Sequence, residues 1–245
     1  MKIKLATAAI LFASTAIASA ADLATKAPYA PLPVWNWTGF YIGGHVGAGW
    51  GTTESTIAAV TPAAVALVGG LPFGQNSRSG VLGGGQIGYN WQSGWAVFGV
   101  QGDIAGLDVK GTQPCLSLGI CTSKSDWLAT VSGRFGGVVA DRTLVYVKGG
   151  AAWLRSDHSL AFPPAFGPFP ATSGSTTAVG WLLGFGAEYA FTQNWSAFIE
   201  YNYMDFGKKS ISMDLSPLVA VAGTTATIDV KEKLSVAKIG VNYKF

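Results

Sequence analysis

Charge is scarce in this chain. Asp, Glu, Lys and Arg make up 12% of its 245 residues, and histidine and cysteine occur twice each. So little charge is unlike the surface of a soluble enzyme. Sixteen basic residues face thirteen acidic ones, but two of the basic ones, Lys2 and Lys4, stand in the first four residues. Without those two the excess is a single charge, so no basic stripe for nucleic acid remains. Past residue 20 no apolar run is long enough for a membrane helix. The longest uncharged stretch, between Glu54 and Arg78, is broken by Pro62, Gly69, Gly70 and Pro72, and a spanning helix needs about 20 unbroken residues. Nucleophilic catalysis needs Ser or Cys beside a base and an orienting acid. With only His45 and His158 available, and no Ser motif near either, no enzyme activity is expected.

What is abundant is glycine, at 33 residues, and aromatic side chains, at 12%. They are patterned. From Phe245 backwards, Tyr243, Val241, Ile239 and Ala237 alternate with Lys244, Asn242, Gly240 and Lys238. A period of two with one apolar and one polar face describes a strand with lipid on one side and a polar interior on the other. The residues Lys238, Gly240, Tyr243 and Phe245 resemble the C-terminal signal that the barrel-assembly machinery recognises in outer-membrane β-barrels. At the other end, basic Met1–Lys4, apolar Leu5–Ala18 and the small-residue site Ala18-Ser19-Ala20 predict a signal peptide over residues 1–20. Residues 21–37, with Pro28, Pro31 and Pro33, are expected to form a semi-rigid periplasmic leader.

From Thr38 to Phe245 the chain alternates strand-like runs with connectors. Eight strands are expected over Thr38–Thr52, Ser79–Gln92, Trp95–Ala105, Ser125–Val138, Thr143–Leu154, Thr176–Ala190, Trp195–Phe206 and Thr227–Phe245. Each is long enough for the ~9–11 residues a tilted membrane strand requires. Three short connectors, at Gln92–Gly94, Ala140–Arg142 and Thr192–Asn194, alternate with four long ones, at Thr53–Ser77, Gly106–Lys124, Arg155–Ser175 and Gly207–Ala226. This is how outer-membrane barrels arrange periplasmic turns and outside loops. Ser55–Phe73 could add a hairpin to the wall or fold over the mouth. Aromatics gather beside the short turns (Tyr89, Trp91, Trp95, Tyr189, Phe191, Trp195) and again towards the long loops (Trp50, Trp127, Trp153), as two interfacial girdles would. The pattern predicts an all-β, antiparallel, up-and-down transmembrane barrel.

The opposite parity supplies the lumen. It carries Asp103, Glu188 and Glu200 against Arg134, Lys148 and Lys238, together with His45, Gln101 and Asn202. An eight-stranded barrel is just wide enough to be filled by side chains, and desolvated charges must pair. These six residues are therefore expected to form an ion-pair network plugging the lumen; a narrow channel lined by mixed charge is the alternative. Cys115 and Cys121, close together in an exported chain, suggest a disulfide closing a small loop, and with no histidine near them a metal site is not expected. Gly83-Gly84-Gly85-Gln86-Ile87-Gly88 matches G-x-G-x-x-G, but the strand continues through Tyr89-Asn90-Trp91 where a dinucleotide site needs a helix. These glycines are expected to be wall positions. His158 stands in a segment rich in Phe and Pro; such a residue could be a solvated loop histidine or an axial haem ligand.

The segment Trp35-Asn36-Trp37-Thr38-Gly39-Phe40-Tyr41-Ile42-Gly43-Gly44 after a Pro-rich leader, with the Tyr243-Lys244-Phe245 end, resembles the small outer-membrane surface antigens of alphaproteobacteria, which are similar to the transmembrane domain of OmpA. The resemblance implies an eight-stranded barrel in the bacterial outer membrane, roles in envelope integrity and surface exposure, and in some members haemin binding. It carries no enzyme motif. With Phe245 last, the peptidoglycan-binding domain that follows the barrel in full-length OmpA is not expected. The partners implied are membrane lipid, lipopolysaccharide, the barrel-assembly machinery, and host or small-molecule ligands at the loops.

Overall fold

The computed structural model describes residues 35–61, 72–115, 119–161, 172–214 and 223–245. The expected signal peptide and nearly all of the leader lie outside the described residues. Eight strands follow in chain order: β1 Gly39–Thr61, β2 Pro72–Ser93, β3 Ala96–Cys115, β4 Gly119–Ala140, β5 Thr143–Ala161, β6 Thr172–Ala190, β7 Trp195–Asp214 and β8 Thr225–Lys244. Each pairs antiparallel with its sequence neighbours, and β1 pairs with β8, closing a barrel. The last turn of the ladder is tied at the chain end, where Phe245 N–H donates to Phe40 O at 3.0 Å.

Alternation sets the polarity of the wall. Val147 and Leu183 are 54% and 59% exposed, while Lys148 and Glu200 are 2% and 1% exposed. That ordering suits a bilayer outside and a packed interior within. Aromatic pairs mark both rims of the apolar band: Trp195 with Tyr243 (5.1 Å between centroids) on the short-turn side, and Trp50 with Tyr201 (6.1 Å) and Trp181 with Tyr203 (5.6 Å) on the other.

The strands are longer than expected. Strands of 19 to 23 residues rise well past the hydrocarbon core at about 3.3 Å per residue. The described parts of the four long connectors expected from the sequence are almost all strand, because the ladder continues where the outward face turns from apolar to charged: beyond Trp153 come Arg155 and Asp157, both exposed. Of Ser55–Phe73, the described parts extend the hairpin, with Thr56 opposite Pro72 after a bulge; residues 62–71 lie outside the described residues. The leader's last residues also join the barrel. Trp35 and Trp37 are 3% and 1% exposed and pack on Val97, Leu144, Tyr146 and Ala190 at the short-turn end.

One seam departs from this regularity. The β6–β7 ladder stops at Trp181 opposite Asp205, although β6 stays paired with β5 up to Thr172 and β7 with β8 up to Asp214. A bulge in β7 causes the split. Gly207 takes a positive φ of 64°, its N–H is bound by Asp205 Oδ1 at 2.8 Å, and the β7–β8 register slips between Asp205 and Lys208.

The G-x-G-x-x-G residues are strand positions on both faces. A Cβ on Gly84 would sit 2.2 Å from Ile104 O and 2.7 Å from Ala105 Cα, whereas one on lipid-facing Gly102 would meet only Ile87 Cγ2 at 3.7 Å. Gly84→Ala should cost about 1–3 kcal/mol through forced backbone shifts, and Gly102→Ala should be neutral or stabilise by up to about 0.5–1 kcal/mol. The midpoint of the heat-induced gel mobility shift measures both; equal midpoints for the two variants would contradict the packing described.

Candidate functional site

The interior is built in layers. Nearest the short turns, above the two tryptophans, a hydrogen-bond circuit runs around the lumen. Arg134 on β4 donates from Nη2 to Glu188 Oε2 on β6 at 2.8 Å and from Nη1 to Tyr41 Oη on β1 at 3.2 Å. Tyr41 donates to Gln101 Oε1 (2.9 Å), Gln101 to Gln86 Oε1 (3.1 Å), Gln86 to Asn242 Oδ1 (2.8 Å), and Asn242 to Glu188 Oε1 (2.7 Å). The circuit starts at the guanidinium, ends at the carboxylate and is closed directly by the ion pair. Ser196 adds a further donor to Glu188 at 2.6 Å. The Arg134 guanidinium also stacks 4.2 Å from the Tyr146 ring centroid, a cation–π contact that strengthens when desolvated.

Next comes a line of charges across the bore. Lys148 Nζ lies 2.7 Å from Glu200 Oε1, Lys238 Nζ lies 3.2 Å from the same oxygen and 2.6 Å from Asp103 Oδ2, and His45 Nε2 is 2.8 Å from Asp103 Oδ2. Tyr146 Oη and Asn202 Nδ2 complete the shell of Glu200 at 2.9 and 2.8 Å. Glu200 and Lys238 are direct cross-strand partners. Lys148, on β5, reaches Glu200, on β7, by passing over β6. There the inward positions are Gly184, opposite Lys148, and Gly186, opposite Glu200. A Cβ at Gly186 would lie 2.7 Å from Tyr146 Oη, so glycine is what leaves the lane open.

Above this line the lumen turns apolar. Leu82, Leu107, Val109, Leu128, Leu154, Leu182, Met204 and Leu234 form one buried cluster with their neighbours. Beyond it stands a second ion pair, Arg78 Nη1 to Glu232 Oε1 at 3.1 Å, with Nη1 also donating to Ser125 Oγ at 2.9 Å. The lumen is thus ionic only in part: an apolar layer separates two polar ones.

All six interior residues expected from the sequence, Asp103, Arg134, Lys148, Glu188, Glu200 and Lys238, lie in these two lower polar layers. The sequence reading missed Arg78 and Glu232. Glu232 shares the parity of Lys238, a signal that points inward; Arg78 directly precedes the residue taken as the start of the second strand. His158 is placed differently from the expectation: it lies within β5, between Ser123 on β4 and Gly174 on β6, not in a loop. Its side chain and the Phe and Pro residues that follow lie outside the described residues, and the haemin reading has no support. Cys115 and Cys121 fall opposite Gly119 and Gln113, on one face of the β3–β4 hairpin and two positions apart; their side chains are outside the described residues. Of the C-terminal residues, Lys238 is interior, while Phe245 is 69% exposed beside Phe40 and Tyr243.

Glu200 joins two lysines, so its removal leaves uncompensated buried charge. Glu200→Ala should destabilise the barrel by about 3–5 kcal/mol. Lys148→Met combined with Glu200→Leu should cost clearly less, because Lys238 keeps Asp103. The heat-shift midpoints of the two variants test this; a double variant worse than Glu200→Ala would refute the pairing described.

An outer membrane protein beta-barrel domain family model matches residues 7–245. The chain is 31% identical over 249 residues to the 31 kDa outer-membrane immunogenic protein of Brucella melitensis, covering 98% of each chain. It is 26% identical over 247 residues to the 25 kDa outer-membrane immunogenic protein of Brucella abortus, covering 97% of this chain and 95% of the other. Among solved structures, the outer membrane protein OprG of Pseudomonas aeruginosa superposes with a TM-score of 0.58 at 17% identity, covering 86% of this chain and 98% of that one, which shows a shared fold. With the closed eight-stranded ring and its lipid-facing exterior, these matches establish that the chain belongs to the outer membrane protein β-barrel family and resides in the bacterial outer membrane.

Proposed function

We propose that the protein works as a sealed element of the outer-membrane wall that displays its outer rim and loops for contact, and that it neither conducts nor catalyses. The observation that carries this reading is the stack of a hydrogen-bond circuit, a line of ion pairs and an apolar cluster filling one narrow bore. Eight strands leave space for side chains and little else. An ion would have to strip its water to pass the leucine layer, with no polar group there to replace it. Contact with membrane lipid and lipopolysaccharide follows from location; contacts with host surfaces belong to the rim beyond the aromatic girdle.

Two further assignments support secretion and assembly. Tyr243 and Phe245, on the lipid side of the closing strand, are the residues we assign to recognition by the barrel-assembly machinery. Cys115 and Cys121 are assigned as a disulfide tying the tip of the β3–β4 hairpin. Intact mass before and after reduction reads the bond directly, as a gain of two hydrogens.

In planar bilayers the purified, refolded protein should give no unit conductance steps across many insertions. Reproducible stepwise currents from a preparation that shows the full heat-induced gel shift would overturn the sealed-wall reading.

A further inference from the structure

The chain enters the barrel through a short segment that belongs to no strand. Residues 35–38 precede β1, and their two tryptophans fill the short-turn mouth instead of extending the wall. The change of direction is made at Gly39. Its φ of 144° is one that L side chains rarely adopt, and a glycine takes it at no steric cost. A Cβ there would also stand 3.3 Å from Phe245 O. Gly39 is therefore the pivot between a paired strand and an unpaired strap.

The footing of the strap is supplied by the closed ring. Trp35 and Trp37 meet edge to face with centroids 5.4 Å apart. They pack on Val97 of β3, Leu144 and Tyr146 of β5 and Ala190 of β6, with Val138 of β4 beside them. Lys244 of β8 holds its ammonium 4.3 Å from the Trp35 ring centroid and donates to Asn36 O. At the end of β2, Gln92 clasps the strap twice. Trp37 N–H donates to Gln92 Oε1 at 2.8 Å, and Gln92 N–H donates to Thr38 Oγ1 at 2.9 Å. Strands from both sides of the bore contribute to this surface, so it is complete only once β8 has joined β1.

Little else ties the strap down. It forms no rung of the ladder, and the indole nitrogens of Trp35 and Trp37 are buried with no hydrogen-bond partner among the described residues, where a buried tryptophan normally finds one. The circuit from Arg134 to Glu188 closes without it. Undocking breaks no rung and no bond of that circuit, and it returns two unpaired donors to water, which offsets part of the cost of exposing the rings. We propose that residues 35–38 are a detachable strap, hinged at Gly39 and clasped by Gln92 and Lys244, which docks after the ring has closed and opens while the ring stays closed. The periplasmic mouth then has a covered and an uncovered state. The leucine layer is shut in both, so the inference goes beyond the sealed-wall reading and does not depend on it.

The test is hydrogen exchange followed by NMR on the full-length protein refolded in detergent micelles, with Trp35→Phe and Trp37→Phe to assign the indole signals. The two indole N–H groups and the Trp37 amide should exchange about tenfold or more slower than in an unstructured peptide. They should exchange about a hundredfold or more faster than the amides of residues 44–48, which are paired on both sides, because local opening needs far less free energy than global unfolding. Sub-denaturing urea should leave the strap rates unchanged, since local opening exposes little surface. Gln92→Ala should speed the Trp37 amide several-fold with the heat-shift midpoint unaltered; if that variant does not fold, the wild-type rates decide. Strap exchange as slow as that of residues 44–48, or accelerated by urea in parallel with it, would mean that the mouth uncovers only when the barrel unfolds, and would overturn the proposal. So would exchange at unstructured-peptide rates, or a folded Gln92→Ala variant no faster than wild type.

Discussion

Inside a ring of eight strands there is no room for bulk water, so every polar group pointing inward must find its partner on another strand. Arg134 shows what this demands. Its guanidinium cannot lose its charge, and an isolated buried charge is prohibitively costly. The answer is an ion pair to Glu188 and a neutral relay, Tyr41, Gln101, Gln86 and Asn242, that returns to the same carboxylate. Five further strands are tied to β4 through this one side chain. Register follows from it, because a slip of one residue on any of these strands would send a circuit member to the lipid face.

The second consequence concerns like charges. Arg134 and Lys148 are cross-strand neighbours, an arrangement that destabilises an exposed sheet. Each is drawn to a different carboxylate instead, Arg134 to Glu188 and Lys148 across β6 to Glu200. The crossing is open only because β6 presents glycine at 184 and 186. These two residues carry no charge and form no bond to the network, yet they decide which acid answers which base.

Much of this was legible in the chain. Alternation from Phe245 backwards, the placement of tryptophans and the spacing of turns gave the ring, its polarity and the six lower charges, since parity alone assigns a face. Three things were not legible, for physical reasons. Strand ends were set where the apolar face ends, near Trp50, Trp127 and Trp153, but backbone pairing does not depend on lipid and continues through charged rungs. The leucine layer was hidden because Leu154 follows Trp153, and Leu182 lies between Trp181 and Leu183; where both faces are apolar, a period of two vanishes. Arg78 lay one residue outside the expected second strand, and Glu232, inside the expected eighth strand and of the same parity as Lys238, was passed over because its partner had not been placed in the wall. The β7 bulge, finally, turns on one positive φ at Gly207, which a glycine permits but does not announce.

That bulge divides the molecule into halves with different obligations. Below the outer girdle an unpaired edge would face hydrocarbon, where nothing can satisfy its amides, and there the ladder is unbroken on all eight strands. Above the girdle the surroundings are headgroups and water, so an open edge is tolerable and its donors remain available. The β6–β7 ladder ends at Trp181 and Asp205, on the border between the two regimes. The ladder stops at the first height where its unpaired amides are within reach of water.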